Sequence, residues 1–179
     1  GHKQKGREER IASKKEALLQ ALNIPPDRFK RLAKRMPEAY WIAEPDDIIE
    51  RNIRLLQAND REPLAIDACY YPDRGATLIT VLAADHPGLF YRIAGAIHLA
   101  GGSIIDARIH TSTDGLAVDN FLVQDPWGRP FQEHDQIERL KHSIGDALAN
   151  KSKLSPKLMA KPVALRRAEA FKIAPSVLV

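Results

Sequence analysis

The spacing of hydrophobic residues changes once along the chain, at about Pro63, and this change constrains the fold more than any other feature. Before Pro63, apolar residues recur every three or four positions, as they do in amphipathic helices. After it, the run "LAIDACYYPDRGATLITVLAAD" places two strand-like stretches on either side of a turn signal. The sequence therefore predicts a helical segment over residues 1–62 and a mixed α/β domain over residues 63–179.

The helical segment reads as several short helices separated by prolines. A leucine stripe ends at Pro25-Pro26, a second helix opens at Pro26, and a further helix follows the acids of "EPDD" at residues 44–47. None of these helices is long enough to form a core alone. We interpret them as the end of a larger helical domain.

The second part predicts the order β-α-β-β-α-β, which is a ferredoxin-like α+β sandwich. A helix from about Pro87 to Ala100 ends at Gly101-Gly102, and "TDG" joins the strands "SIIDARIHTS" and "LAVDNFLVQD" as a hairpin. A second helix begins at Asp135, and "AFKIAPSVLV" forms the final strand. Three apolar residues are expected to face the core and three polar residues to face away from it: Ile105, Ala107 and Ile109 against Asp106, Arg108 and His110.

Composition excludes several classes of protein. No run of 18 apolar residues is present and the start of the chain lacks the apolar centre of a signal peptide, so we expect a cytoplasmic protein. One cysteine, Cys69, cannot form an internal disulfide, and the six histidines share no metal-ligand spacing. The formal charge of +4 is concentrated in an acid-free stretch at residues 151–167, which we interpret as a solvated linker.

The corner "DHPGL" at residues 85–89 is the candidate binding site. The NH groups of Gly88, Leu89 and Phe90, together with the helix dipole, predict a small anion site. Asp85 and His86 stand beside it, and Asp85 can accept hydrogen bonds from an ammonium group. A carboxylate next to an anion site suits an amino acid. The alternative is that Asp85 only caps the helix.

The stretch "DHPGLFYRIAGAIHLAGGSIIDARIHTSTDGLAVDNFLVQD" closely resembles the first of two ACT domains in the bifunctional PII uridylyltransferase/uridylyl-removing enzymes. Upstream, "YWIAEPDDIIERNIRLL" is similar to the segment that joins the HD domain of those enzymes to their ACT pair. The similarity covers nearly all of residues 14–179. It implies the tail of an HD-type domain followed by a first ACT domain, with a second ACT domain expected beyond this chain.

The same resemblance implies a function. Enzymes of this family attach UMP to the PII signalling protein with a magnesium- and UTP-dependent nucleotidyltransferase domain, remove it with the HD domain, and sense glutamine with the ACT domains. We expect this segment itself to have no catalytic residues and no cofactor. Glutamine is expected to place its carboxylate on Gly88 and Leu89, its ammonium on Asp85, and its amide near Asp106 and Asn120 at the boundary with a second ACT domain or a second copy of the chain.

Two alternatives remain open from the sequence. The chain could be the ACT unit of another HD-containing enzyme, such as a guanosine tetraphosphate synthetase/hydrolase, or an RNA-binding ferredoxin-like module. The Tyr40-Trp41 segment and "DGLAVDNF" favour the uridylyltransferase family. RNA-recognition domains need two or three aromatic residues on central strands, and Phe121 is the only one available here.

Overall fold

The computed structural model describes residues 2–60, 62–149 and 170–171. Four helices precede the first strand: α1 (His2–Leu22), α2 (Pro26–Lys34), α3 (Glu38–Ala43) and α4 (Asp46–Ala58). The remaining elements are β1 (Leu64–Tyr71), β2 (Ala76–Ala84), α5 (Leu89–Leu99), β3 (Ser103–Thr111), β4 (Leu116–Gln124), α6 (His134–Ala149) and β5 (Ala170–Phe171). Within these residues, no helix is long and apolar enough to cross a membrane.

Proline determines where the short helices begin. Pro25, Pro37 and Pro45 occupy the N-cap positions of α2, α3 and α4. A proline ring fixes φ and removes an NH group that a helix start does not need, so each proline ends one element and permits the next. The buried faces of these helices pack together and against the sheet residues Ala65, Leu82 and Val118.

The strands form one antiparallel sheet in the order β1-β2-β4-β3-β5. This arrangement, with α5 and α6 on one face, confirms the predicted ferredoxin-like α+β fold. The edge beside β2 is occupied by β1, which precedes the β-α-β-β-α unit in sequence. The predicted final strand is described only at Ala170–Phe171, and these residues pair with Arg108 and Ala107 of β3 at the opposite edge.

Both faces of the sheet are covered. Helices α5 and α6 pack on one face, and the helical segment α1–α4 packs on the other. Strand β2 is consequently buried at every position from Ala76 to Ala83. Such a three-layer arrangement leaves no solvent-facing side to the central strands.

The covered second face corrects one expectation. Asp106, Arg108 and His110 do point away from α5 and α6, but Arg108 and His110 meet Glu44 of the helical segment, and Asp106 pairs with Arg108. Asp106 is 3% exposed and His110 is fully buried. Their alternation in sequence is the same in either case, because a strand pattern records the face of a residue and not what covers that face.

A β-bulge corrects a second expectation. The β3–β4 register shifts between Ile104 and Asp106, so the alternation changes phase there. Ala107 and Ile109 face the α5/α6 core as predicted, whereas the prediction for Ile105 is wrong: Ile104 takes that place and Ile105 packs with Ile48 on the opposite face.

The end of α5 generates a stability prediction. Gly102 donates its NH to Ile97 O at 2.8 Å, and a Cβ at Gly102 would lie 2.7 Å from Ile97 Cγ2 and 2.8 Å from Val123 Cγ1. We expect Gly102→Ala to destabilise the chain by about 1–3 kcal/mol through overpacking. In the control, Gly145→Ala in α6, the added Cβ meets Ile66 Cδ1 at an ordinary 3.7 Å. Urea denaturation should show the control to be as stable as the parent or slightly more so, and equal stabilities for both variants would contradict the packing argument.

Candidate functional site

The corner between β2 and α5 is built around a tight turn. Leu89 N donates to His86 O at 3.2 Å, and Gly88 has φ 86° and ψ −4°. With Pro87 in the second position and a left-handed glycine in the third, this is a type II turn. Helix α5 therefore begins at Leu89, two residues later than predicted from Pro87, because the left-handed conformation at Gly88 interrupts the helix.

The turn changes which groups can hold an anion. The NH groups of Gly88 and Leu89 were predicted to bind a carboxylate. The NH of Leu89 already donates to His86 O within the turn, so a ligand would have to share it. Gly88 is the N-cap of α5, where the positive end of the helix dipole lies and the missing side chain lets a ligand approach the backbone. The His86 ring lies over its own turn, with Nδ1 at 2.8 Å from Pro87 O.

Asp85 is tied to the β3–β4 hairpin. Its NH donates to Gly115 O at 3.0 Å, and its Oδ2 accepts a hydrogen bond from Thr111 Oγ1 at 3.0 Å. The N-cap of α5 is Gly88, and no side chain caps that helix. The structure thus does not support the alternative in which Asp85 acts as a plain helix cap.

The other two predicted ligand residues lie elsewhere. Asn120 pairs in register with Thr80, five residues before Asp85 on β2 and about 16 Å away along the strand. Asp106 forms an ion pair with Arg108 at 2.8 Å and lies 3.7 Å from Arg74. The structure therefore groups Asp85, His86, Gly88 and Leu89 at one corner, and places Asn120 under the helical segment and Asp106 beside Arg108 and Arg74.

A cluster of buried polar side chains joins the helical segment to the sheet, and we call it the interface cluster. Its members come from α3, α4 and the three inner strands of the sheet: Tyr40, Glu44, Asn52, Thr80, Arg108, His110 and Asn120. Asn52 donates to Thr80 Oγ1 at 3.1 Å and to Asn120 Oδ1 at 2.9 Å, and it accepts from Tyr40 OH at 2.8 Å. The bonds from Asn52 to Thr80 and Asn120 cross from the helical segment to the sheet, and the bond from Tyr40 joins α3 to α4, so the cluster fixes how the layers align.

Glu44 carries the charge in the interface cluster. Its Oε2 lies 2.8 Å from His110 Nε2 and accepts from Asn120 Nδ2 at 2.8 Å, while its Oε1 accepts from Arg108 at 3.3 Å. A carboxylate only accepts hydrogen bonds, so His110 presents a protonated Nε2 to it. The Tyr40 ring packs edge-on against His110 at 4.8 Å.

Burial also shifts acid–base behaviour around the interface cluster. Loss of hydration, with the Glu44 carboxylate as a second cause, raises the pKa of the Tyr40 phenol well above its ordinary value. Burial likewise raises the pKa of Asp106, although Arg108 and Arg74 oppose this shift. Tyr40 is therefore a hydrogen-bond donor at any physiological pH, which is the role that its bond to Asn52 requires.

Sequence reasoning did not identify the interface cluster. Glu44 reads as an acid before a helix-starting proline, and Asn52 reads as a polar position in an amphipathic helix. The usable signal was the set of alternating polar residues on β3, whose side chains need partners if the face is covered. That signal becomes informative only once the helical segment is known to lie on the sheet.

The molecule therefore belongs to a defined structural class: a ferredoxin-like α+β domain whose second sheet face is covered by a helical segment of the same chain. A comparison with protein-family models finds no match. Among curated proteins, the chain is 58% identical over 178 residues to the bifunctional uridylyltransferase/uridylyl-removing enzyme of Novosphingobium aromaticivorans, and 51% identical over 180 residues to that of Erythrobacter litoralis. The enzyme of the same name from Zymomonas mobilis is 38% identical over 177 residues.

These alignments include 97–99% of this chain but only 19–20% of each relative. By sequence, the chain belongs to the family of bifunctional uridylyltransferase/uridylyl-removing enzymes, and it spans about a fifth of the length of the curated relatives it matches.

Removal of one member of the interface cluster should be costly. We expect Asn52→Leu to destabilise the chain by about 2–4 kcal/mol, because it leaves Tyr40 OH without a buried acceptor and removes the two hydrogen bonds between Asn52 and Asn120. Tyr40→Phe removes one donor and should cost only about 1 kcal/mol. Chemical denaturation of both variants tests this, and an Asn52→Leu protein as stable as the parent would show that the cluster does not hold the layers together.

The β3–β4 turn gives a pH prediction. The hydrogen bond from the Ser112 hydroxyl, with Arg35 as a further cause, holds the pKa of Asp114 below its ordinary value. The folded chain therefore binds this proton less tightly than the unfolded chain, so the stabilisation is present above about pH 4 and is lost as the pH falls through the folded pKa. Because the Asp114 side chain is 56% exposed, solvent screening keeps the effect below about 1 kcal/mol.

Two variants test this assignment through the pH dependence of the free energy of unfolding between pH 2 and 6. Asp114→Asn should be less stable than the parent near pH 6 and should converge with it near pH 2. Ser112→Ala removes the leading cause of the shift and should weaken the same pH dependence. A constant difference between Asp114→Asn and the parent across this range would contradict the assignment.

Proposed function

We propose that this chain is a regulatory ACT-type segment of a bifunctional uridylyltransferase/uridylyl-removing enzyme, and that it senses glutamine to control the uridylylation and deuridylylation of PII in the cytoplasm. The observation that carries the proposal is the 58% identity, over 99% of the chain, to an enzyme of that name. The ferredoxin-like fold supports it, since ACT domains have this fold. PII is a partner of the whole enzyme in this proposal, and this segment acts on it indirectly.

The Asp85–Leu89 corner is the proposed ligand site. Asp85 presents a half-buried carboxylate at a strand end, and Gly88 presents backbone at the positive end of α5. An α-amino acid carries an ammonium and a carboxylate on one carbon, so it can contact both groups together. Asp106 and Asn120 have no part in this version of the site, because their polar atoms already bond to Arg108, Thr80, Asn52 and Glu44.

A second unit would complete the site. The corner lies at the end of the sheet, where the β3–β4 hairpin contacts Asp85 through Thr111 and Gly115. A second ACT domain, or a second copy of the chain in a homodimer, is the proposed source of the contacts that select the glutamine side chain.

Magnesium and UTP belong, in this proposal, to the catalytic domains of the longer enzyme. Among residues 2–60, 62–149 and 170–171, no group of three or more His, Cys, Asp or Glu side chains is arranged to hold a metal ion. In that described part of the chain, the side chains do not fit a metal site.

The structure bears on the RNA-binding alternative. RNA-recognition domains bind bases on an open sheet face through exposed aromatic residues. Here α1–α4 cover the face opposite α5 and α6, and Phe121 is fully buried in the α5/α6 core. The relatives described above are named as uridylyltransferases, which favours that family over guanosine tetraphosphate enzymes.

Calorimetric titration tests the proposed site. We expect glutamine, in preference to glutamate and asparagine, to bind the longer enzyme that carries this segment, and Asp85→Asn to weaken binding by about 10- to 100-fold through loss of a charge-assisted hydrogen bond. Asp73→Asn, in the exposed turn between β1 and β2, is the matched control and should bind normally. The isolated chain is expected to bind more weakly than the longer enzyme. Unchanged affinity after Asp85→Asn would exclude the corner as the ammonium site.

A further inference from the structure

The turn between β3 and β4, residues Ser112–Gly115, is in contact with the Asp85 corner. Gly115 O accepts the NH of Asp85, and Thr111, the residue just before the turn, donates its hydroxyl to the Asp85 carboxylate. Both bonds are 3.0 Å long and both end on Asp85. A change in the partners of that carboxylate therefore acts on Thr111, the residue directly before the turn.

The same turn is held from the other side by Arg35, which follows α2. Thr113 N donates to Arg35 O at 2.8 Å, and the Arg35 guanidinium pairs with Asp114 at 3.1 Å. The guanidinium also pairs with Asp60, just beyond α4, at 3.1 Å. Arg35 thus connects the turn to the C-terminal ends of two helices of the helical segment.

The turn is closed by its own hydrogen bonds. Ser112 N donates to Leu116 O at 2.7 Å, Leu116 N donates to Ser112 Oγ at 2.8 Å, and Gly115 N donates to Ser112 O at 3.1 Å. The Ser112 hydroxyl also donates to the Asp114 carboxylate. A turn with these internal bonds is displaced as one body and transmits a movement of one end to the other.

We propose that the Ser112–Gly115 turn and Arg35 are the route by which a ligand at Asp85 alters the packing of the helical segment. This inference rests on the glutamine-sensing function proposed above. A ligand ammonium that binds Asp85 Oδ2 shares this oxygen with the Thr111 hydroxyl, so the liganded and free states differ in how the turn is anchored. A ligand shifts an equilibrium only through contacts that differ between the two states of the protein. The hydrogen bond between Thr111 and Asp85 is such a contact. Arg35 acts as a positioning residue that passes the difference to α2 and α4.

A second ion pair across the same interface provides a matched control. Arg51 of α4 binds Asp67 of β1 through two bonds of 2.9 and 3.0 Å. It joins the helical segment to the sheet as Arg35 does, but it ends on β1 instead of the turn. Loss of either arginine removes one interface cation, and only Arg35 lies on the proposed route.

The test compares Arg35→Gln, Asp114→Asn and Arg51→Gln in the longer enzyme that carries this segment. Calorimetry measures glutamine binding, and two further measurements report its effect: amide hydrogen exchange in residues 26–60 and the glutamine dependence of the uridylyl-transfer rate. We expect all three variants to saturate with glutamine. In both measurements, the glutamine effect should be at least about fivefold smaller in Arg35→Gln and Asp114→Asn than in the parent. In Arg51→Gln it should stay within about twofold of the parent.

The possible outcomes separate the inference from the function on which it rests. A parent enzyme that does not bind glutamine overturns the proposed function and the route together. If the parent responds to glutamine, and Arg35→Gln and Asp114→Asn respond as strongly as the parent, only the route is overturned. If Arg51→Gln loses as much of the glutamine effect as Arg35→Gln does, the route is also overturned, because the interface as a whole would then carry the effect. Asp114 is more than half exposed, so Asp114→Asn remains a folded test if Arg35→Gln does not fold.

Discussion

The buried carboxylate of Glu44 is the interaction on which the alignment of the helical segment with the sheet depends. It enters from the junction of α3 and α4 and meets His110 and Arg108 of β3 and Asn120 of β4. Removing a carboxylate from water costs several kcal/mol, and its partners offset that cost only when the geometry is close to ideal. A displaced helical segment would leave this charge buried and unpaired. The interaction therefore favours one docking arrangement over others, whatever it adds to net stability.

In the proposed function, this docking restricts where a ligand can bind. An open ferredoxin-like sheet offers a broad face for recognition, but here the helical segment occupies that face and even the polar positions of β3 are buried. The remaining places with free backbone and accessible charge are the strand ends and their loops. The corner at Asp85 is such a place: β2 ends there, α5 begins there with its positive dipole, and a glycine lets a ligand approach closely.

Local features were predictable from the sequence where a single element decides them. The proline-separated helices, the Gly101-Gly102 end of α5 and the hairpin at "TDG" each follow from neighbouring residues. The sheet face on which Ile105 lies was not predictable, because pairing with β4 determines where the bulge beside it occurs. The partner of His110 was not predictable either, since a polar residue on a strand looks the same whether water or Glu44 faces it. In the candidate site, Pro87 and Gly88 indicated the turn, but the bonds from Asp85 to Thr111 and Gly115 join residues far apart in sequence.

In the proposed site, those long-range bonds couple ligand affinity at the corner to the packing of the helical segment. An ammonium group at Asp85 Oδ2 shares that oxygen with Thr111, and the strand that carries Thr111 also carries His110 of the interface cluster. By thermodynamic linkage, the free energy by which the ligand stabilises one arrangement of the turn equals the free energy by which that arrangement strengthens ligand binding. One exchanged hydrogen bond changes the free energy by about 1 kcal/mol, which lies at the lower end of typical coupling energies between sites. A corner that is only part of a ligand site can therefore still bias the alignment of the layers, provided that the rest of the site supplies the affinity.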